Sequence, residues 1–138
     1  MSSIRHLAEQ FFEACETGKG WEGCEQYCRP DATFSCQAEA LADIQSMQAY
    51  TEWMKGLTTI MPDARYDIHS FAVDDERNNV TVFATYYGTH TEEGGPAPPT
   101  GRSVSSDYTY TLEFDGDRIR HMTKVWNAPY AMKELGWV

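Results

Sequence analysis

Around Pro62 the spacing of apolar residues changes, and that change limits what the chain can fold into. In SSIRHLAEQFFEAC, Ile4, Leu7, Ala8, Phe11, Phe12 and Cys15 recur at helical intervals, with Ser2 or Ser3 as the cap and the glycines of ETGKG as the stop. WEGCEQYC predicts a second short helix stopped by Pro30, and DATFSC a short strand. SMQAYTEWMKGL predicts a third helix with Met47, Tyr50, Met54 and Leu57 on its stripe, Trp53 beside them, and Pro62 at its end. Beyond Pro62, RYDIHSFAV, VTVFATYYGTH, RSVSSDYTYTLEF and RIRHMTKVWN are rich in Val, Thr, Tyr and Phe and alternate with period two. Helices first and strands afterwards predict an α+β domain, with the helices segregated to one face of an antiparallel sheet. DDERNN and DGDR are tight connections, TEEGGPAPPTG is a longer loop outside the sheet, and APYAMKELGWV predicts a short helix after Pro129. The 138 residues fit a single domain, 1–138, without internal repeats.

The totals exclude several partners. A net charge of −10 repels phosphate backbones and anionic lipids, so neither nucleic acid nor membrane is an expected partner. No apolar run reaches the roughly 18 residues of a membrane span, and MSSIRHLAEQ is not a signal peptide; the expected compartment is the cytoplasm. Cys15, Cys24, Cys28 and Cys36 lack the paired knuckle spacing of a zinc site and read as reduced, packed cysteines. His6, His69, His90 and His121 sit in different elements, so no metal is expected from them either. With eight tyrosines, six phenylalanines and four tryptophans, either the core is unusually aromatic or the surplus lines a cavity, where an apolar body with a polar tip serves well.

Strand pairing predicts which residues would line such a cavity. If Phe114 and Ile119 flank DGDR, then Tyr108, Tyr110, Leu112 and Phe114 share a face with Ile119, His121, Thr123, Val125 and Asn127. That set is the more apolar and should face the helices. The opposite face then carries Asp107, Arg120, Met122, Lys124 and Trp126, and its Met122 and Trp126 suggest a homodimer through the outer sheet face. In the strand before, Val80, Val82 and Ala84 favour an inward row that includes Tyr86 and His90. The side on which His69 falls stays open between two nearly balanced rows.

The segments GTH (88–90), PPTGR (98–102) and DGDRI (115–119), followed by Trp126, resemble the SnoaL-like polyketide cyclases of the nuclear transport factor 2-like group, which also contains ketosteroid isomerases. The resemblance runs through the whole order of elements. It implies a cone-shaped curved sheet packed against three N-terminal helices (an α+β roll), a homodimer, and a pocket for a hydrophobic small molecule. It also implies acid–base chemistry on a carbonyl compound with no cofactor.

Catalytic candidates are His121 and His90, with Asp107 brought inside only if a one-residue bulge reverses its strand. Tyr86, Tyr108 and Tyr110 are the candidate hydrogen-bond donors, Tyr50 and Trp53 the apolar wall, and Asn127 a ligand-orienting group. Asp43 and Arg102 are candidates for the mouth. The plainer alternatives are a structural His121 bonded to a tyrosine, a rim position for His90, and a surface salt bridge for Arg102. Two functions remain: a cyclase- or isomerase-type enzyme, or a noncatalytic small-molecule binding protein with the same pocket. A dimerisation module is a third.

Overall fold

A computed structural model describes residues 3–138. Helix α1 (Ile4–Glu16) begins at Ser3, whose hydroxyl accepts from the Arg5 backbone N–H at 3.1 Å; Ser2, the other candidate cap, lies outside the described residues. Ala8, Phe11, Phe12 and Cys15 form its buried stripe as the spacing predicts, and Glu16 joins them. Helix α2 (Gly20–Cys24) continues into a 3-10 turn over Glu25–Tyr27. Helix α3 (Met47–Ile60) is capped by Ser46, whose hydroxyl accepts from the Ala49 N–H. Helix α4 (Ala128–Glu134) carries Pro129 in its first turn, where the missing N–H has no helical partner to lose. Among the described residues no helix is long and apolar enough to cross a membrane.

Five strands, β1 (Cys28–Cys36), β2 (Arg65–Asp74), β3 (Asn79–Thr89), β4 (Ser103–Asp115) and β5 (Arg118–Trp126), form one sheet in the order β1-β5-β4-β3-β2. Strands β2 to β5 make the expected antiparallel meander. Strand β1 corrects the expectation of a wholly antiparallel sheet, because it pairs with β5 in parallel. A parallel pair needs a long crossover, and here everything from α3 to β4 supplies it. Pro30 lies inside β1 rather than ahead of it. It falls where the pairing with β5 is interrupted between Cys28 and Thr33, on an edge strand that tolerates a missing donor.

The helices cover one face, with α1 against β2 and β3, α3 against β1, and α4 against β4. Val80, Val82, Ala84, Tyr86 and His90 of β3 and the residue after it are buried beneath them, as the alternation predicts. In β2 both nearly balanced rows reach the helix side. A bulge at His69 separates the pair Ile68–Ala84 from the pair Ser70–Phe83, so Tyr66 points toward the helices before it, and Phe71 and Val73 after it.

A second bulge changes the reading of β5. Phe114 pairs with Ile119 as expected, but Glu113 pairs with His121, which leaves Arg120 unpaired. Every later residue of β5 therefore changes face. Met122, Lys124 and Trp126 stand opposite Leu112, Tyr110 and Tyr108 on the helix side, while His121, Thr123 and Val125 face outward. The physical reason lies in what is exchanged. The regular register would bury an imidazole, a threonine and a valine; the bulged one buries Met122 completely and most of Trp126, two larger apolar bodies whose burial offsets part of the cost of taking Lys124 inside with them. Arg120, freed from the ladder, bonds Glu113 at 2.8 Å on the outside. The expected dimer surface of Met122 and Trp126 is thus interior.

These placements predict opposite costs for neighbouring substitutions. Met122→Ala should lose about 2–5 kcal/mol of stability in chemical denaturation. His121→Ala should lose under about 1 kcal/mol.

Candidate active site

Glu16 is the last residue of α1 and continues the i, i+4 row of Ala8 and Phe12, so its carboxyl enters the core instead of solvent. Two tyrosines from alternate inward positions of β4 meet it. Tyr110 donates to Oε1 at 2.5 Å and Tyr108 to Oε2 at 2.7 Å. From β5, the Lys124 Nζ donates to the Tyr50 hydroxyl at 2.9 Å, and Tyr50 in turn bonds the Tyr110 hydroxyl. An ammonium can only donate and a carboxylate can only accept, which orients the whole chain: Lys124 to Tyr50 to Tyr110 to Glu16. Opposite charges are joined through two hydroxyls.

The surroundings are aromatic. Tyr50 stacks on Phe34 at 4.3 Å between ring centroids and lies beside Trp53. The Lys124 Nζ lies 4.3 Å from the Trp126 ring centroid, and 5.1 to 5.8 Å from those of Tyr50, Trp53, Tyr108 and Tyr110. Such faces attract a cation but do not replace its hydration. Burial therefore lowers the Lys124 pKa to about 8, against the opposing pull of Glu16, Cys36 and Cys15. Burial also raises the Glu16 pKa above the ordinary carboxylate value, against the Tyr110 bond, the Lys124 charge and the Tyr108 bond. The hydroxyls of Tyr50, Tyr108 and Tyr110 are held protonated, first by burial and then by Glu16.

A small cavity of about 40 Å³ lies against this network, bounded by Glu16, Tyr86, Ser106, Tyr108, Lys124 and Trp126 on its polar side. Met54, Leu57, Met61 and Leu135 make it apolar elsewhere. The Trp126 indole N–H donates to Ser106 at 2.9 Å. Tyr86 differs from its neighbours: its hydroxyl is buried without a hydrogen-bond partner among the described residues. Such an orphaned donor is uncommon in a folded protein, and its residue borders the cavity. Next to the cavity, a groove of about 380 Å³ runs between α3 and the glycines and proline of the long loop, Gly94, Gly95 and Pro96. Trp53, Leu57, Trp126, Met132 and Trp137 line both spaces, so they form one wall with a cavity behind it and a groove in front.

The residues singled out in the sequence divide sharply. Tyr86, Tyr108 and Trp53 line the cavity, and Tyr50 and Tyr110 stand directly behind it. His121 does not reach it: from the outer face its Nδ1 bonds Thr33 at 2.7 Å and its Nε2 lies 3.1 Å from Ser35, tying β5 to β1. His90 is inward and fully buried, yet both ring nitrogens are engaged. The Trp137 indole, which can only donate, bonds Nδ1 at 3.0 Å, so Nε2 carries the proton and donates to the Glu92 carbonyl at 3.1 Å. Asp107 remains on the outer face, since the bulge lies in β5 and not in its own strand. It accepts from Thr85 at 2.6 Å, and Thr85 accepts from His69. Asn127 is exposed and caps α4 through the Tyr130 N–H. Asp43 and Arg102 are exposed and line neither space.

Glu16 and Lys124 escaped the sequence reading. Glu16 had a signal, its place on the helical stripe; Lys124 had none without the bulge. All four cysteines are buried, and burial pushes the Cys28 thiol up to about 12, far from a reactive thiolate. Among the described residues no three of His, Cys, Asp and Glu converge as metal ligands.

Solved structures share this architecture. AclR of Streptomyces galilaeus, named provisionally as a hydroxylase, is 20% identical with a TM-score of 0.77, over 98% of this chain and 96% of its own. IdmH of Streptomyces antibioticus, named provisionally as a polyketide cyclase, is 17% identical with a TM-score of 0.77, over 98% and 99%. An epoxide hydrolase from M. tuberculosis is 14% identical with a TM-score of 0.67, over 97% and 90%. At these identities the likeness is one of fold. Among curated proteins none matches the chain. The family model of SnoaL-like polyketide cyclases matches residues 6–135, nearly the whole length, and the chain belongs to that family.

Proposed function

We propose that this chain is an acid–base enzyme of the cyclase or isomerase type, acting without a cofactor on an apolar carbonyl compound that lies in the groove and reaches the cavity when Trp53 and Trp126 turn aside. One observation carries the reading: a buried carboxylate, wired to a buried amine, lines an apolar cavity beside a tyrosine hydroxyl with no partner. Glu16 replaces the histidines and Asp107 as the proton acceptor. It removes a proton from the carbon next to the carbonyl. The C–H electron pair forms the new C=C bond, and the carbonyl π pair moves onto oxygen. The Tyr86 hydroxyl donates to that oxygen as it becomes negative. Returning the proton to another carbon gives an isomer; attack of the enolate on a second carbonyl of the same molecule gives a ring. The raised pKa of Glu16 suits the task, because a base that holds its proton more tightly takes it more readily.

A homodimer belongs to the same proposal, on different residues from those first expected. Phe83 and Val125 are the exposed apolar side chains of the outer face, Val125 at 65% exposure, and both flank Thr109 in neighbouring strands.

With 2-tetralone as probe, the protein should speed exchange of the α-hydrogens in D2O, followed by NMR. Glu16→Gln should slow that exchange by about 10²–10⁴-fold, with circular dichroism unchanged. Tyr86→Phe should lower kcat by about 10²-fold with little change in KM, since it acts on charge that develops only in the transition state. Because Glu16 works ionised, the rate should fall as pH drops through its pKa, and that limb should lie above the ordinary value of 4.5. Binding of 2-tetralone without exchange would return the protein to the class of noncatalytic binders. Sedimentation at micromolar concentration should show two chains, and Val125→Glu should show one; a wild-type monomer would rule out the dimer.

A further inference from the structure

Lys124 poses a question that acid–base catalysis by Glu16 does not answer. A lysine that served only as a counter-ion would lie against the carboxylate or reach water, as its long flexible stem allows. Here the amine has one oxygen partner among the described residues, the Tyr50 hydroxyl, and its other sides meet aromatic rings. It is 6% exposed and borders the cavity. Its charge is balanced at a distance, through two hydroxyls that each accept one proton and donate another. A proton can leave the amine along that path: Lys124 gives one to Tyr50, Tyr50 passes its own to Tyr110, and Tyr110 passes its own to Glu16. The result is a neutral amine and a neutral carboxylic acid, with no charge left buried and no water required.

From this geometry we infer that Lys124 is a covalent carbonyl-capturing residue, forming an imine with an aldehyde or ketone whose oxygen is held by Tyr86. The inference rests on the reading of the cavity as a carbonyl site and adds the nucleophile. The nitrogen lone pair attacks the carbonyl carbon, the C–O π pair moves to oxygen, and a proton transfers from nitrogen to that oxygen to give a carbinolamine. Glu16, carrying the relayed proton, protonates the hydroxyl. Water leaves with the C–O pair as nitrogen donates to form C=N⁺. An ammonium, a carboxylate and a carbonyl thus become an iminium, a carboxylate and one water, with net charge conserved. The iminium withdraws electrons from the adjacent carbon, whose proton Glu16, again a carboxylate, is placed to take.

The groups facing the amine are Glu16 and Cys15 of α1, Tyr50 of α3, Cys36 of β1, and Tyr108 and Tyr110 of β4. Among them Glu16, followed by Cys36 and Cys15, would hold the proton on, and burial outweighs all three. Near neutral pH, a lysine shifted from 10.5 to about 8 holds roughly two orders of magnitude more free amine than an ordinary one.

The test is reductive trapping of the wild-type protein with 2-tetralone and sodium cyanoborohydride, followed by peptide mass spectrometry. Labelling should concentrate on Lys124, roughly a hundredfold above the exposed Lys19, Lys55 and Lys133, and should rise as pH climbs through about 8. No adduct, or an even spread over the four lysines, would overturn the inference. Solvent exchange keeps the two readings apart. An adduct on Lys124 with exchange unaffected in Glu16→Gln supports capture of the carbonyl by Lys124 and removes Glu16 both as the base and as the carrier of the relayed proton. Exchange that depends on Glu16 without any adduct leaves acid–base catalysis in place and removes the imine.

Discussion

Two opposite charges are buried in the core of this domain without touching, and the hydroxyls of Tyr50 and Tyr110 complete the circuit between them. Loss of one member of such a pair typically costs about 3–5 kcal/mol, because the other is left charged and unsolvated. The network also joins four separate elements. Glu16 comes from α1, Tyr50 from α3, Tyr108 and Tyr110 from β4, and Lys124 from β5. Holding the four in one hydrogen-bonded circuit fixes how the helices sit on the sheet more narrowly than apolar packing alone would, since a hydrogen bond tolerates far less displacement than a hydrophobic contact.

That circuit depends on a single unpaired residue. Without the bulge at Arg120, Lys124 would stand in solvent and Glu16 would be a buried acid with no counter-charge. The bulge places Met122 and Trp126 inside as well, and their apolar burial offsets part of the cost of desolvating the lysine. One local change in pairing thus completes the core, supplies the cavity wall and installs the amine.

The imidazoles serve elsewhere. His121 ties β5 to the parallel edge strand β1 through Thr33 and Ser35, and His69 reaches Asp107 through Thr85 across the outer face. His90 links Trp137, at the end of the chain, to the carbonyl of Glu92 at the start of the long loop, so the two segments that rim the groove are held by one ring. The polar chemistry of the interior falls instead to tyrosine, glutamate and lysine.

Much of this was legible in the residues. Helical spacing placed α1 and α3 and their stripes, period-two alternation placed the four-stranded meander, and the tyrosines of the third and fourth strands were correctly turned inward. These follow from the sequence by itself because the period of apolar residues is a property of each segment, set by the geometry of its own backbone. Glu16 could have been found by extending its stripe one turn. The tertiary structure alone decided the rest: that β1 joins the sheet in parallel, that Lys124 and not His121 lies inside, and that the chain's charges meet through hydroxyls. Pairing between strands is a contest between whole faces, and one residue left out of the ladder reverses every side chain beyond it.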